Sequence, residues 1–251
     1  MRLPVLFGVI ERRLLVNFRV DFDVLARVVP PPFRPQSVGG WGLGGICLIR
    51  LGQIRPRGWP TWLGLGSENA AHRIAVEWDE PGGTRSGVFV HRRDTNSRLN
   101  AAVGGRIFPG VHHRAQFDVC EHQDCLDVGF RSLDGAAEAR VRGSIAADLP
   151  RDSVFASLAE ASDFFRTGVC GYSPGPREGV YDGLELRALN WEVTPLQVEH
   201  VFSSYFADAA RFPAGSVAFD CALLMRNIRH EWRGLPDLCG AGYSLGAASL
   251  P

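Results

Sequence analysis

Residues 67–92 read SENAAHRIAVEWDEPGGTRSGVFVHR, two runs of alternating apolar and polar residues around a cluster of turn formers. Asp79-Glu80-Pro81-Gly82-Gly83-Thr84 concentrates the residue types that reverse a chain, so Ser67 to Trp78 and Ser86 to Arg92 are expected to pair as a hairpin. Successive side chains of a strand point to opposite faces. One face of the first strand then carries Glu68, Ala70, His72, Ile74, Val76 and Trp78, and the other Asn69, Ala71, Arg73, Ala75 and Glu77. Ile74, Val76 and Trp78 mark the first as the core face, which places Glu68 and His72 on the interior side. There an acid and an imidazole could share protons.

The same alternation extends outward from the hairpin. Val111 to Cys120 puts Val111, His113, Ala115, Phe117 and Val119 on one face and His112, Arg114, Gln116, Asp118 and Cys120 on the other, so His113 is the inward histidine. Trp78 and Phe117 are expected in one core, with Glu77, Arg114 and Asp118 opposite. Further strands are expected at 8–20, 39–54, 125–132, 137–146, 184–193, 196–206 and 216–230. Asp21 is placed to cap a short helix, Phe22 to Val29, stopped by the prolines at 30, 31 and 32. Asp94 or Thr95 is expected to cap a second helix running to about Ile107. Ser157-Leu158-Ala159-Glu160 is a capping-box pattern opening a third, ended near Gly168.

Many strands with few helices indicate an α+β, mainly β chain: one antiparallel barrel-like domain over residues 1–233, with a loose tail at 234–251. Apolar residues make up 45% and charged residues 22%, an ordinary globular balance. Positive and negative side chains number 27 each, which disfavours nucleic acid or an anionic membrane as partner. All the positive ones are arginine. Guanidinium stays protonated, so no side-chain amine exists to attack a ketone, and borohydride with a ketone should trap nothing at an internal residue.

Six cysteines without paired spacing fit reduced thiols in a cytoplasm. Leu3 to Ile10 is broken by Pro4 and lacks a small-residue cleavage site, so no signal peptide is expected. No stretch reaches the roughly 20 apolar residues of a membrane helix. Cys120-Glu121-His122-Gln123-Asp124-Cys125 sits at a hairpin tip without a second spaced pair, and His112 and His113 diverge as strand neighbours; no metal and no other cofactor is expected. Of the adjacent Arg92 and Arg93, at most one can enter a pocket, where its fork could hold a carboxylate; the other is expected to be solvated or paired with Asp94.

Ser67-Glu68-Asn69 ahead of a strand, Gly87-Val88-Phe89-Val90, Asp94, Arg106 and Pro109, with Val20-Asp21 through Pro30-Pro31-Pro32-Phe33, resemble the DUF2071 or YqjF-like family of the acetoacetate decarboxylase-like superfamily. The likeness covers roughly residues 8 to 232. It implies a barrel-like domain with an interior pocket. In acetoacetate decarboxylases a strand glutamate sits near a reactive lysine; Glu68 matches the glutamate, but Val90 to Asp94, where the lysine would fall, holds arginines. The decarboxylase mechanism therefore does not transfer.

Two readings of function follow. In the first, the protein is an enzyme on a small oxygenated or keto-acid substrate, with Glu68, His72 and His113 moving protons in a lyase, dehydratase or aldol-type step and Arg92, Arg93 or Arg106 holding the anionic end. In the second, the same groups orient a metabolite without turnover. A small molecule is the expected partner in both, and homo-oligomerisation is left open. Both place Glu68, His72 and His113 around one cavity.

Overall fold

A computed structural model describes residues 4–104 and 109–240. Strand β1 (Leu6–Asp21) leads into α1 (Phe22–Val28), and two short pieces, β2 (Arg34–Pro35) and β3 (Ser37–Val38), precede β4 (Trp41–Pro56). The expected hairpin is β5 (Leu65–Glu80) with β6 (Gly83–Thr95). After α2 (Arg98–Val103) comes the meander β7 (His112–His122), β8 (Cys125–Ser132) and β9 (Glu138–Ile145). The chain continues through α3 (Leu158–Thr167), β10 (Cys170–Pro174), β11 (Val180–Ala188), β12 (Thr194–Ser203) and β13 (Val217–Cys239).

Two strands share an edge between two neighbours, and this decides the architecture. The free edge of β6 pairs with β10 at Val88 and Phe89, then with β7 from Arg93 to Thr95. Between them the β5 register slips: His72 faces Arg92 and Arg73 faces Val90, leaving His91 as a bulge. In the same way β13 gives Ala222 to Leu224 to β12 and His230 to Cys239 to β11. Two closed paths of paired strands result, sharing β13, β1, β4, β5 and β6. One closes through β7, β8, β9 and β12, and the smaller through β10 and β11.

The shared strands are thus a wall with both faces buried, which explains their long apolar runs. On the face toward the larger ring, Leu14, Val16, Ile46, Leu48, Ile74 and Trp78 join Val128, Phe130 and Val141 in one core. The expected Phe117 and Val119 pack against it. On the other face Leu15, Cys47, Ala71, Ala75 and Leu223 meet Phe155 and Phe165, with Leu186 and Trp232 packed alongside. Helix α1 begins at Asp21, whose carboxylate accepts from Val24 N at 2.9 Å, and it buries Val24 and Leu25 in the first core. Helix α3 begins at Ser157 as expected and buries Ala161 and Phe165 in the second.

Four expectations are corrected. The sheet is mixed, because β6 takes both β7 and β10 in parallel. Asp94 and Thr95 belong to β6, opposite Ala70 and Asn69, and the helix cap is Ser97, whose Oγ accepts from Asn100 N; α2 ends at Val103, and Arg106 and Ile107 lie outside the described residues. The tail expected from Gly234 onward is strand through Cys239, because Gly234 and Leu238 pair with Leu184 and Tyr181. Finally β10, whose five residues carry no alternation, had no counterpart among the expected strands.

Candidate functional site

A cavity opens on the second face of the shared wall, near the β6 fork, with about 720 Å³ of empty space including its mouth. Ile49, Leu51 and Ala71 supply an aliphatic floor, and Leu184 and Trp232 close it from the smaller ring. Its polar lining is Ser67, Asn69, Asn100, His112, Arg93 and Asp94, the last of which is held by Arg92. An apolar concavity with a few convergent polar groups is the ordinary form of a small-molecule site.

Strand alternation aims Arg93 here. It pairs with Ala71, which shares the cavity face, and its Nε donates to Ser173 Oγ of β10 at 3.1 Å. Among the described residues no carboxylate lies within ion-pair distance of its guanidinium. Burial pulls its pKa down to about 10, opposed at longer range by Cys47 and Asp182. Asp182 is itself occupied, accepting from Gly110 N at 3.1 Å. Gly110 holds φ +79°, and a Cβ there would fall 2.9 Å from Ser173 Cβ and 3.0 Å from Arg93 Nε, so only glycine lets this loop pass so close over the guanidinium.

His112 opens β7 beside Arg93, across from it in the parallel ladder. Its Nδ1 lies 2.9 Å from Gly110 O, and a carbonyl only accepts, so Nδ1 carries the proton and Nε2 is the basic nitrogen. Burial, reinforced by the Arg93 charge, pulls its pKa down to about 3. The imidazole is therefore neutral at physiological pH. An anion neutralising Arg93 would remove the second influence and make His112 a stronger base.

The expected triad does not line this cavity. Glu68 does lie on the larger-ring face, where its carboxylate binds Arg12 Nη2 and Arg50 Nε, each at 2.6 Å. Glu121 joins the same network through Arg12 at 2.7 Å and Arg226 at 3.0 Å. His72 is 1% exposed, with its ring 5.2 Å from Tyr205 and 6.0 Å from Phe130. Neither of its nitrogens has a partner among the described residues, and burial pulls its pKa down to about 3. His113 sits half-exposed with Nδ1 3.2 Å from Asp134 Oδ2. Arg92 forks onto Asp94 and Asp134. Glu68 and His72 do not meet Arg93 because the wall has two buried faces and alternation along β5 sends them to the one opposite it, while His113 stands on β7 beside Asp134.

Asn69, Asn100, His112 and Ser173 were not singled out by sequence reasoning. One signal was available for the first of these. The second face of β5 carries Ala71 and Ala75 where a solvated strand face carries long polar side chains, and such small residues mark a surface packed against something.

Solved structures with the same fold are acetoacetate decarboxylase-like proteins. Acetoacetate decarboxylase from Legionella pneumophila superposes with a TM-score of 0.58 at 10% identity, over 94% of this chain and 88% of that one. An acetoacetate decarboxylase-like enzyme from Sphingomonas wittichii RW1 gives 0.57 at 12% identity, over 94% and 93%. The enduracididine biosynthesis enzyme MppR, complexed with pyruvate, gives 0.60 at 11% identity, over 96% and 91%. No family model matches the chain, and no curated protein does. The chain thus has the acetoacetate decarboxylase-like fold.

Proposed function

We propose that the protein binds a small organic carboxylate of the 2-oxo acid class in the cavity behind the β5–β6 hairpin, with the Arg93 fork on the carboxylate. The observation that carries this is a largely buried guanidinium that lines an apolar cavity and has no carboxylate partner among the described residues. A buried charge without a counter-ion is costly, and a ligand anion offsets that cost. Asn69 and Asn100 offer hydrogen bonds to a carbonyl oxygen, and Trp232 and Leu184 accommodate an apolar remainder. The pyruvate in MppR is a 2-oxo acid of a size this cavity takes. We assign the chain to the DUF2071 or YqjF-like group on residues 67–69, 87–90, 94, 106 and 109.

Calorimetric titration with pyruvate and 2-oxobutanoate tests the reading. Replacing Arg93 by Gln removes a charge-assisted bidentate contact and should weaken binding by about 10-fold or more. An unchanged Kd in Arg93→Gln would overturn it.

An enzymatic version is favoured by His112, the basic group beside Arg93 in the lining. A bound carboxylate at Arg93 strengthens it, so proton abstraction next to the keto group falls to His112 rather than to Glu68, His72 or His113. Deuterium exchange at the pyruvate methyl, followed by NMR, reports such a step. Exchange accelerated by the wild type and lost in His112→Asn, with Kd retained, supports turnover; no acceleration leaves the binding reading alone.

A further inference from the structure

A second cavity lies on the same face of the wall under α3, with about 330 Å³ of empty space including its mouth. Arg13 and Arg73 both line it, against Phe164, Phe165 and Gly87. Neither guanidinium has a carboxylate oxygen within 4.0 Å among the described residues. Arg73 is 3% exposed, lies 5.0 Å over the Phe165 ring, and donates to Asn17 Oδ1 and to Cys47 Sγ, the latter at 3.0 Å. Arg13 reaches the same sulfur with Nη2 at 3.7 Å, while its Nε is buried without a partner among the described residues.

Charge accounting at this spot is lopsided. Burial would push the Cys47 thiol up, yet the nearby Arg73 and Arg13 charges outweigh it and hold the thiol below its ordinary value. Even a full thiolate cancels one positive charge of two. What remains is a net positive charge and an orphaned N–H donor beside an apolar space, the situation an anion relieves. The room is less than half that of the Arg93 cavity, which limits the occupant to something compact. Gln36 also lines the space and can add a hydrogen bond.

We propose that this cavity is a second anion site, taking one compact oxyanion of sulfate or phosphate size between Arg13 and Arg73, distinct from the carboxylate site at Arg93. Cys47 stands between the two: it touches Arg13 and Arg73 and its charge is felt by Arg93.

Selenate soaked into crystals of the full chain should give an anomalous peak in contact with both Arg13 and Arg73. In solution, sulfate should raise Tm more than chloride at equal ionic strength, and Arg13→Gln should cut that increment about two-fold or more, each protein being compared with its own chloride baseline. Arg13→Met, which keeps the aliphatic stem, takes its place if the Gln variant does not fold. Arg93→Gln should leave the sulfate increment intact while losing 2-oxo acid binding, which keeps the two sites separately testable. The proposal is overturned by wild-type crystals without the peak, or by a sulfate increment as large in the Arg13 variant as in the wild type.

Discussion

Arg92 and Arg93 are chain neighbours with opposite surroundings, and the difference is the pleat of one strand. Arg92 sits opposite His72 and is tied to Asp94 and Asp134, whereas Arg93 sits opposite Ala71 and turns to the cavity with only Ser173 as a described side-chain partner. Sequence alternation established that they must diverge. Which of them met a cavity was not legible, because that depends on β10 and β11 closing over the far face, and β10 has no sequence pattern. The Arg93 cation is the form that binds an anion, and its pKa is about 10, so affinity for pyruvate should hold from neutral pH upward and fall as pH rises through about 10. A Kd measured across that range checks it; a fall centred near neutrality would mean another group controls binding. Arg93→Lys should do something the wild type cannot. A lysine there would be partly buried, which lowers its pKa and yields a neutral amine beside the bound ketone. Borohydride with pyruvate should then trap an adduct at position 93, and wild-type protein should show none at any internal residue.

At the level of single elements, the β5–β6 hairpin, the meander and helices α1 and α3 were readable because each follows from local chemistry: turn residues, alternation and a capping side chain. The Glu68 position was read correctly as to face, and its partners could not be, because Arg12, Arg50 and Glu121 come from β1, β4 and β7. Arg12 is 1% exposed, so its charge depends on Glu68 and Glu121 together. Although burial works the other way, hydrogen bonds from Arg12 and Arg226 hold Glu121 below the usual carboxylate range. Glu68→Gln therefore leaves a buried guanidinium half-compensated and should cost about 1–3 kcal/mol of stability. Binding of pyruvate in the Arg93 cavity should be unaffected. Urea unfolding and calorimetry on the same variant separate the outcomes; lost binding with full stability would return Glu68 to the site.

Across the whole molecule, both faces of one five-strand wall are buried, and imidazoles are trapped neutral on each side of it. Burial pulls His72 down to about 3 on the larger-ring side, and does the same for His112 on the cavity side. His230, 0% exposed beside Trp232, is pulled to about 4 by burial, against a hydrogen bond donated by its Nδ1 to Ile228 O, which raises it. In the unfolded chain each would titrate near about 6.5. Between those values the unfolded state binds more protons than the folded one, so stability rises with pH. The contribution is fully present above about pH 6.5 and is lost progressively as pH falls toward the folded-state values. Acid should thus weaken the fold well before the carboxylate ion pairs titrate. His72→Phe removes one of these protons while filling the aromatic surroundings of Tyr205 and Phe130 with a ring of similar size. Its urea midpoint should drop less between pH 7.5 and pH 5 than that of the wild type. Equal drops would mean that His72 is not carried neutral in the folded protein, and that its surroundings hold a partner for the charged ring.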